Sequence, residues 1–457
     1  MKGGNTGLLR LYSDHTINMT VGNAWKEIVL FALPVLIGEL FQQSYSIFDS
    51  MIVGLYAGDA ALAAVGAAET ITRVIIGFFT GVSIGCSVIV AMSFGKGDKN
   101  GIRSDVHTIV LLSIGVGIVL TGLGIAMING ALNLMKVPDD VRPFASAYLV
   151  IYFLGITAMV LYNTISGILR AVGDSRHPVY YLIFSSVLNI GLDLLFVAGF
   201  HWGVKGAAVA TVMSQIACVI PCVLQIVRTN QAWKFDLSIP LDPVVIKKIL
   251  SVGLPIGLEK SLVSFSNVIV LSRINAWGTN CLAGWVIYLK ISHVFTVASQ
   301  SITAAETTFV SQNVGAGQLN RSREGIKVSL IIGFLVELAL ICLSIFFRQS
   351  IINLFSAGED TYRYARDFLI YLIPFQLVSV FMSVYIAALR GFGKGVLSTA
   401  IMLFSLIIAR QLYLIFIVKI THSPVWVGFG YPFGWIVSAI ITLIYYRSKI
   451  VPKIKCD

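Results

Sequence analysis

Two short stretches place carboxylates among apolar residues. FQQSYSIFDSMIVG, residues 41–54, ends an apolar run that begins at IVLFALPVLIGE, and it carries Asp49. SSVLNIGLD, residues 185–193, carries Asn189 and Asp193. Residues four apart share a helix face, so the amide and the second acid point the same way. Carboxylates with an amide suit a hard cation such as Na+, and a close acid pair can share a proton. The competing reading is structural, an acid satisfied by neighbouring hydroxyls. A charge at the centre of a bilayer costs at least about 2.5–3.5 kcal/mol, so acids there default to function.

Other polar residues fall in apolar runs: Glu39, Glu259, Lys260, Lys290, Glu306 and Arg410. Glu39 and Glu259 occupy matching positions in the two halves of the chain. They could line a central cavity and attract a cationic substrate, or pair with Lys290, Arg410 or Lys260 as structural ion pairs. Lys260 follows Glu259 directly, so the two face different ways. Gln42, Tyr45, Asn163 and Glu306 join them as candidate cavity residues. Pro34 and Pro255 sit inside helical runs, where neighbouring helices can satisfy the freed carbonyls.

Catalytic constellations are missing. GVSIG at residues 81–85 fits G-x-S-x-G, but it lies within an apolar helical run rather than on a strand–turn–helix elbow, so Ser83 is not read as a nucleophile. Glycines four apart more often let helices pack closely. HExxH, P-loop and GxGxxG patterns are absent, which leaves no nucleotide site; pumping would have to use an ion gradient. Among the six cysteines, Cys218 and Cys222 share a helix face with no second pair beside them, so buried thiols are read there rather than zinc.

These residues need a scaffold, and the composition states which. The 457 residues are 57% hydrophobic and 12% charged, with mean hydropathy +0.86. Soluble domains carry about 25% charged residues, so lipid must be the solvent for much of this chain. The net charge of +11 reflects Lys and Arg in short connectors, with no basic stripe interleaved with aromatics, and nucleic acid is not an expected partner. About twelve apolar runs reach the length of a membrane helix. Most Lys and Arg fall at the even-numbered helix ends and the two termini, which the positive-inside rule assigns to the cytoplasm. The N-terminal segment is too polar for a cleavable signal peptide.

The chain divides into a cytoplasmic segment 1–27, a six-helix lobe 28–227, a cytoplasmic linker 228–245, a second six-helix lobe 246–446 and a cytoplasmic tail 447–457. The lobes repeat: ALPVLIGE resembles GLPIGLE, SFGKGD resembles NVGAGQ, and LRAVGDS resembles LRGFGKG, each offset by about 220 residues. Such a repeat predicts a pseudo-two-fold axis along the membrane normal. At that offset Asp49 and Asp193 match positions around Ile269 and Tyr413, so the acid pair belongs to one lobe only.

PVLIGELFQQSYSIFDSMIVG, the FGKGD and VGAGQ connectors, LYNTISGILRAVGDSRHPVYYLI and SSVLNIGLDLLFVAGFHWGVKGAAVAT resemble the multidrug and toxic compound extrusion (MATE) family. The resemblance covers both halves. It implies two six-helix lobes, a V-shaped cavity, alternating access, and antiport of an organic cation against Na+ or H+ with no other cofactor. It places the family's first-lobe cation site on Asp49, Asn189, Asp193 and Thr211, and Glu259 near an acid that some members carry. Lys260 and Glu39 depart from the family pattern. The resulting expectation is an all-α polytopic exporter, monomeric, in the bacterial plasma (inner) membrane with both termini cytoplasmic. A flippase for lipid-linked oligosaccharides on the same architecture is the alternative, to which Lys260, Lys290 and Arg410 would lend support.

Overall fold

The computed structural model describes residues 16–135, 137–355, 358–421 and 423–452; the last tail residues, Cys456 among them, lie outside these. Twelve long helices run through the described residues: α1 Ala24–Ala57, α2 Asp59–Gly95, α3 Lys99–Leu134, α4 Arg142–Ala171, α5 Arg176–Gly199, α6 Gly203–Arg228, α7 Pro243–Asn275, α8 Thr279–Gly315, α9 Leu319–Phe346, α10 Glu359–Gly391, α11 Gly395–Ile417 and α12 Pro424–Ile450. From α2 on, all eleven are long and apolar enough to cross a membrane. Helices are the form such runs must take, because lipid offers the backbone no hydrogen-bond partners. Large apolar side chains such as Leu55, Leu134 and Phe346 stand exposed, as lipid-facing groups should.

The chain forms two compact units. One comprises Leu33–Gly253 with the segment ending at Asn18; the other comprises Met19–Ala32 and the chain from Leu254 on. The crossings fall at Ala32/Leu33 and Gly253/Leu254, within the ALPVLIGE and GLPIGLE repeats and next to Pro34 and Pro255. Inside the first unit α4 packs against α2, α3 and α6; inside the second α10 packs against α8, α9 and α12. The same neighbours at the repeat offset give each unit the same interior plan.

The repeated connectors are chemically determined. Gly97 and Gly317 adopt φ of 71° and 73°, and Gly173 and Gly393 adopt 90° and 71°, a left-handed conformation that side-chain-bearing residues resist. At each, the helix ends in a Schellman motif. Asp98 N–H donates to the Ser93 carbonyl at 3.2 Å and Gly97 N–H to that of Phe94 at 3.0 Å; Gln318 and Gly317 repeat the pattern on Asn313 and Val314.

Residues 228–245 are docked rather than free. The Trp233 ring meets Phe94 edge-on at 6.0 Å, and Phe235 stacks on His107 at 5.4 Å. Ser104 donates to Asp242 at 3.0 Å. Asp242 also accepts from Val244 N–H at 2.8 Å, capping α7, and this bond holds its carboxyl below the usual range.

GVSIG is a packing device, as glycines four apart suggest. A Cβ on Gly85 would overlap the Gly253 backbone, while Ser83 donates to the Asn163 carbonyl at 2.6 Å. Gly85→Ala is therefore expected to destabilise the first unit by about 1–3 kcal/mol, read as a lowered melting temperature of the purified protein. An unchanged melting temperature would mean that the α2–α7 approach is looser than described.

Candidate functional site

Two elements of the first unit deliver the acids. Asp49 sits late in α1 and Asp193 at the last α-helical residue of α5, where the helix turns to a π-helix over Leu194–Gly199. π-turns often mark functional sites because the wider turn re-aims the side chains beside it. Asp49 is 7% exposed, Asn189 1%, Asp193 0% and Thr211, on α6, 5%. The two carboxyls lie within hydrogen-bond reach of each other. No Lys or Arg is among the groups acting on either; Asp49 feels Glu69, which Arg73 holds in an ion pair. Among the described residues no N–H or O–H donor reaches either oxygen of Asp193 or Oδ1 of Asp49, and neither amide atom of Asn189 has a hydrogen-bond partner. Tyr148, on α4, reaches Thr211 and feels the charge of Asp49, as does Tyr45.

This arrangement has one electrostatic consequence. Two buried carboxylates in contact repel, and among the described residues no Lys or Arg acts on the pair to compensate. A proton or a metal cation between them removes the repulsion and engages the unpartnered oxygens. Among the described residues no group of three or more His, Cys, Asp or Glu side chains could hold a metal ion.

The remaining sequence candidates separate. Glu259 is buried and its partner is Arg390, whose Nη2 donates to both carboxylate oxygens at 2.8 Å; Thr399 adds a bond at 3.3 Å. This corrects the expectation of pairing with Lys290, Arg410 or Lys260, and it favours the structural reading of Glu259. Lys290 is exposed, its Nζ 5.1 Å from the centroid of the Phe355 ring. Asn163 spends its amide on the Met159 carbonyl of its own helix. Gln42 is exposed, while Glu39 and Tyr45 are half-buried. Glu306 is fully buried in the second unit with both oxygens unpartnered, close enough to Tyr385 and Tyr446 to act on both. Pro34 lies within the continuous α1, whereas Pro255 follows a π-turn at Ile249–Gly253. Of the cations named for the flippase alternative, Lys290 lies over the Phe355 ring and Arg410 over the Tyr431 ring.

Several polar groups fall outside the sequence-derived set. Glu337 on α9 is 1% exposed with both oxygens unpartnered, a carboxylate within an apolar run like the others. Asp105 on α3 is buried and accepts from Ser93 at 2.5 Å. Arg390 could have been found from the repeat, since LRAVGDS and LRGFGKG align it with Arg170 just as Glu259 aligns with Glu39.

The fold and this buried pair together narrow the comparison with known proteins. The MatE family model matches residues 34–195 and 255–413, one match in each repeat. The chain belongs to the MATE family. Probable multidrug resistance protein YoeA of Bacillus subtilis strain 168 is 26% identical over 437 residues, 93% of this chain and 94% of its own. Probable multidrug resistance protein YpnP of the same organism is 30% identical over 306 residues, 66% of this chain and 68% of its own. A solved MATE transporter of the MOP superfamily in an outward-facing conformation superposes with a TM-score of 0.91 over 98% of this chain and 100% of that one, at 24% identity. This MATE protein is thus a multi-pass membrane transporter, not an enzyme.

Proposed function

We propose that this transporter exports organic cations by antiport against Na+ or H+, with Asp49 and Asp193 as the coupling site and Asn189 and Thr211 as neutral ligands. The observation that carries this reading is the buried, unneutralised Asp49–Asp193 contact. One positive charge entering there changes how α1 and α5 hold together. That is the differential interaction alternating access requires, because an ion shifts a conformational equilibrium only by its difference in affinity for the two states. Pro34 lies about four turns before Asp49, at a turn of α1 that lacks one backbone hydrogen bond, and it is where the helix would yield. The distribution of Lys and Arg supports a plasma-membrane protein with both termini cytoplasmic, and a single chain carries the whole site.

The test uses cells stripped of their own exporters. Cells expressing the protein should hold several-fold less of a fluorescent organic cation than vector controls. Collapsing the Na+ and proton gradients should erase the difference. Equal accumulation in expressing and control cells would remove the proposal.

A further inference from the structure

We propose that the second unit contains an anion-binding site centred on Arg410. Arg410 is 1% exposed, in the interior of α11 immediately after the π-turn at Phe404–Ala409. Its Nη1 donates to Asn267 Oδ1 at 2.9 Å, and its guanidinium lies over the Tyr431 ring at 5.0 Å from the centroid. Nε and Nη2 have no hydrogen-bond partner among the described residues. No Asp or Glu acts on the group; Tyr431 is the titratable neighbour that does. Trp285, whose ring is 5.7 Å from Tyr431, is fully buried and its indole N–H also lacks an acceptor. A buried charge costs several kcal/mol unless it is paired and hydrogen-bonded. Here one cation and one neutral donor share a ring as neighbour, with no carboxylate acting on the cation among the described residues.

The position in the repeat strengthens the assignment. Asn267, Arg410 and Tyr431 come from α7, α11 and α12, the repeat counterparts of α1, α5 and α6 that carry Asp49, Asp193 and Thr211. At the 220-residue offset Tyr431 matches Thr211 itself. The same trio of helices thus presents unpartnered acceptors in one unit and unpartnered donors in the other. Asp193 immediately precedes a π-turn and Arg410 immediately follows one. The duplicated framework holds a polar centre in both units, with the sign reversed.

Nε and Nη2 form the side-on edge of the guanidinium, which binds two oxygens of a planar anion at once. The ligand is therefore a small monovalent anion of carboxylate type. It comes either from solution or as the carboxylate of a transported compound. Purified full-length protein in a bulky HEPES buffer is titrated with sodium formate, with sodium chloride, and with a carboxylate-bearing fluoroquinolone beside its methyl ester, following thermal stability by tryptophan fluorescence. A saturable rise with formate that is at least tenfold weaker in Arg410→Gln establishes a site for free anions. A saturable rise with the fluoroquinolone, but not with its ester or formate, that is lost in Arg410→Gln establishes capture of the substrate's carboxylate. No saturable rise in wild type, or the same titration in Arg410→Gln, overturns the proposal, as does saturation by chloride alone with no dependence on Arg410. If Arg410→Gln does not purify, Arg410→Lys replaces it. That variant keeps the charge without the bidentate edge, and the same tenfold loss is required.

Discussion

Asp49→Asn reduces gradient-driven export to the vector background, a loss on the order of 100-fold, while the protein remains inserted and folded. The contact with Asp193 is the reason. On the proposed mechanism an entering Na+ or proton relieves the repulsion between two buried carboxylates, and that relief is the free energy that would link the ion to conformation. With an amide at 49 the repulsion is gone before any ion arrives, so the ion no longer distinguishes the states. Removing one charge from a repelling pair should also leave the melting temperature unchanged or slightly higher, which separates loss of coupling from loss of folding. Asp193→Asn should behave alike, because neither acid acts without the other. The check is accumulation of a fluorescent organic cation in exporter-deficient cells, with membrane expression and melting temperature measured on the same variants. Export by Asp49→Asn at wild-type rates would show that the pair is structural.

Arg390→Met carries the second large effect, and it is on stability. Glu259 is 1% exposed and receives both short bonds from the Arg390 Nη2. Removing the guanidinium leaves a carboxylate in the interior with only the Thr399 hydroxyl, and breaking a buried pair in this way costs about 3–5 kcal/mol. Replacing both partners, as Glu259→Gln with Arg390→Met, removes the charge as well as its partner and should recover most of that loss. Denaturation midpoints of the two single variants and the double variant read this directly. A single variant as stable as wild type would mean that water or another group takes over the carboxylate. Export by the double variant above half the wild-type rate is the accompanying expectation, because the proposed ion site is at Asp49 and Asp193 and Glu259 already has its partner in Arg390.

Much of this was legible in the residues themselves. The apolar runs and turn glycines define the helices, because lipid leaves the backbone no alternative and a Schellman end needs a left-handed residue. Asn189 and Asp193 four apart read as one face, and Asp193 comes within reach of Asp49 in the fold. Pairing between distant helices was harder. Glu259 reads as a partner for any nearby cation, and only three-dimensional proximity selects Arg390, although the repeat carries the hint in the matched Glu39 and Arg170. Lys290 illustrates the reverse error: a cation in an apolar run can reach outward, and here it lies over the Phe355 ring. Glu337 had the same signal as Glu306, a lone acid in an apolar run. Arg410 looked like an ion-pair candidate, and that no carboxylate among the described residues acts on it emerges only from the three-dimensional arrangement. The crossings at Ala32/Leu33 and Gly253/Leu254 are invisible in composition, because both fall inside single helical runs.

The central claim is that a cation entering at Asp49 and Asp193 drives an organic cation the other way. Purified protein in liposomes tests it, with a Na+ gradient and a pH gradient imposed separately and a fluorescent organic cation followed in each. The account predicts uphill movement of the organic cation against one of the two gradients, reversed when that gradient is reversed and absent in Asp49→Asn. Equilibration at the same rate with and without either gradient, or uphill movement that survives in Asp49→Asn, would contradict it.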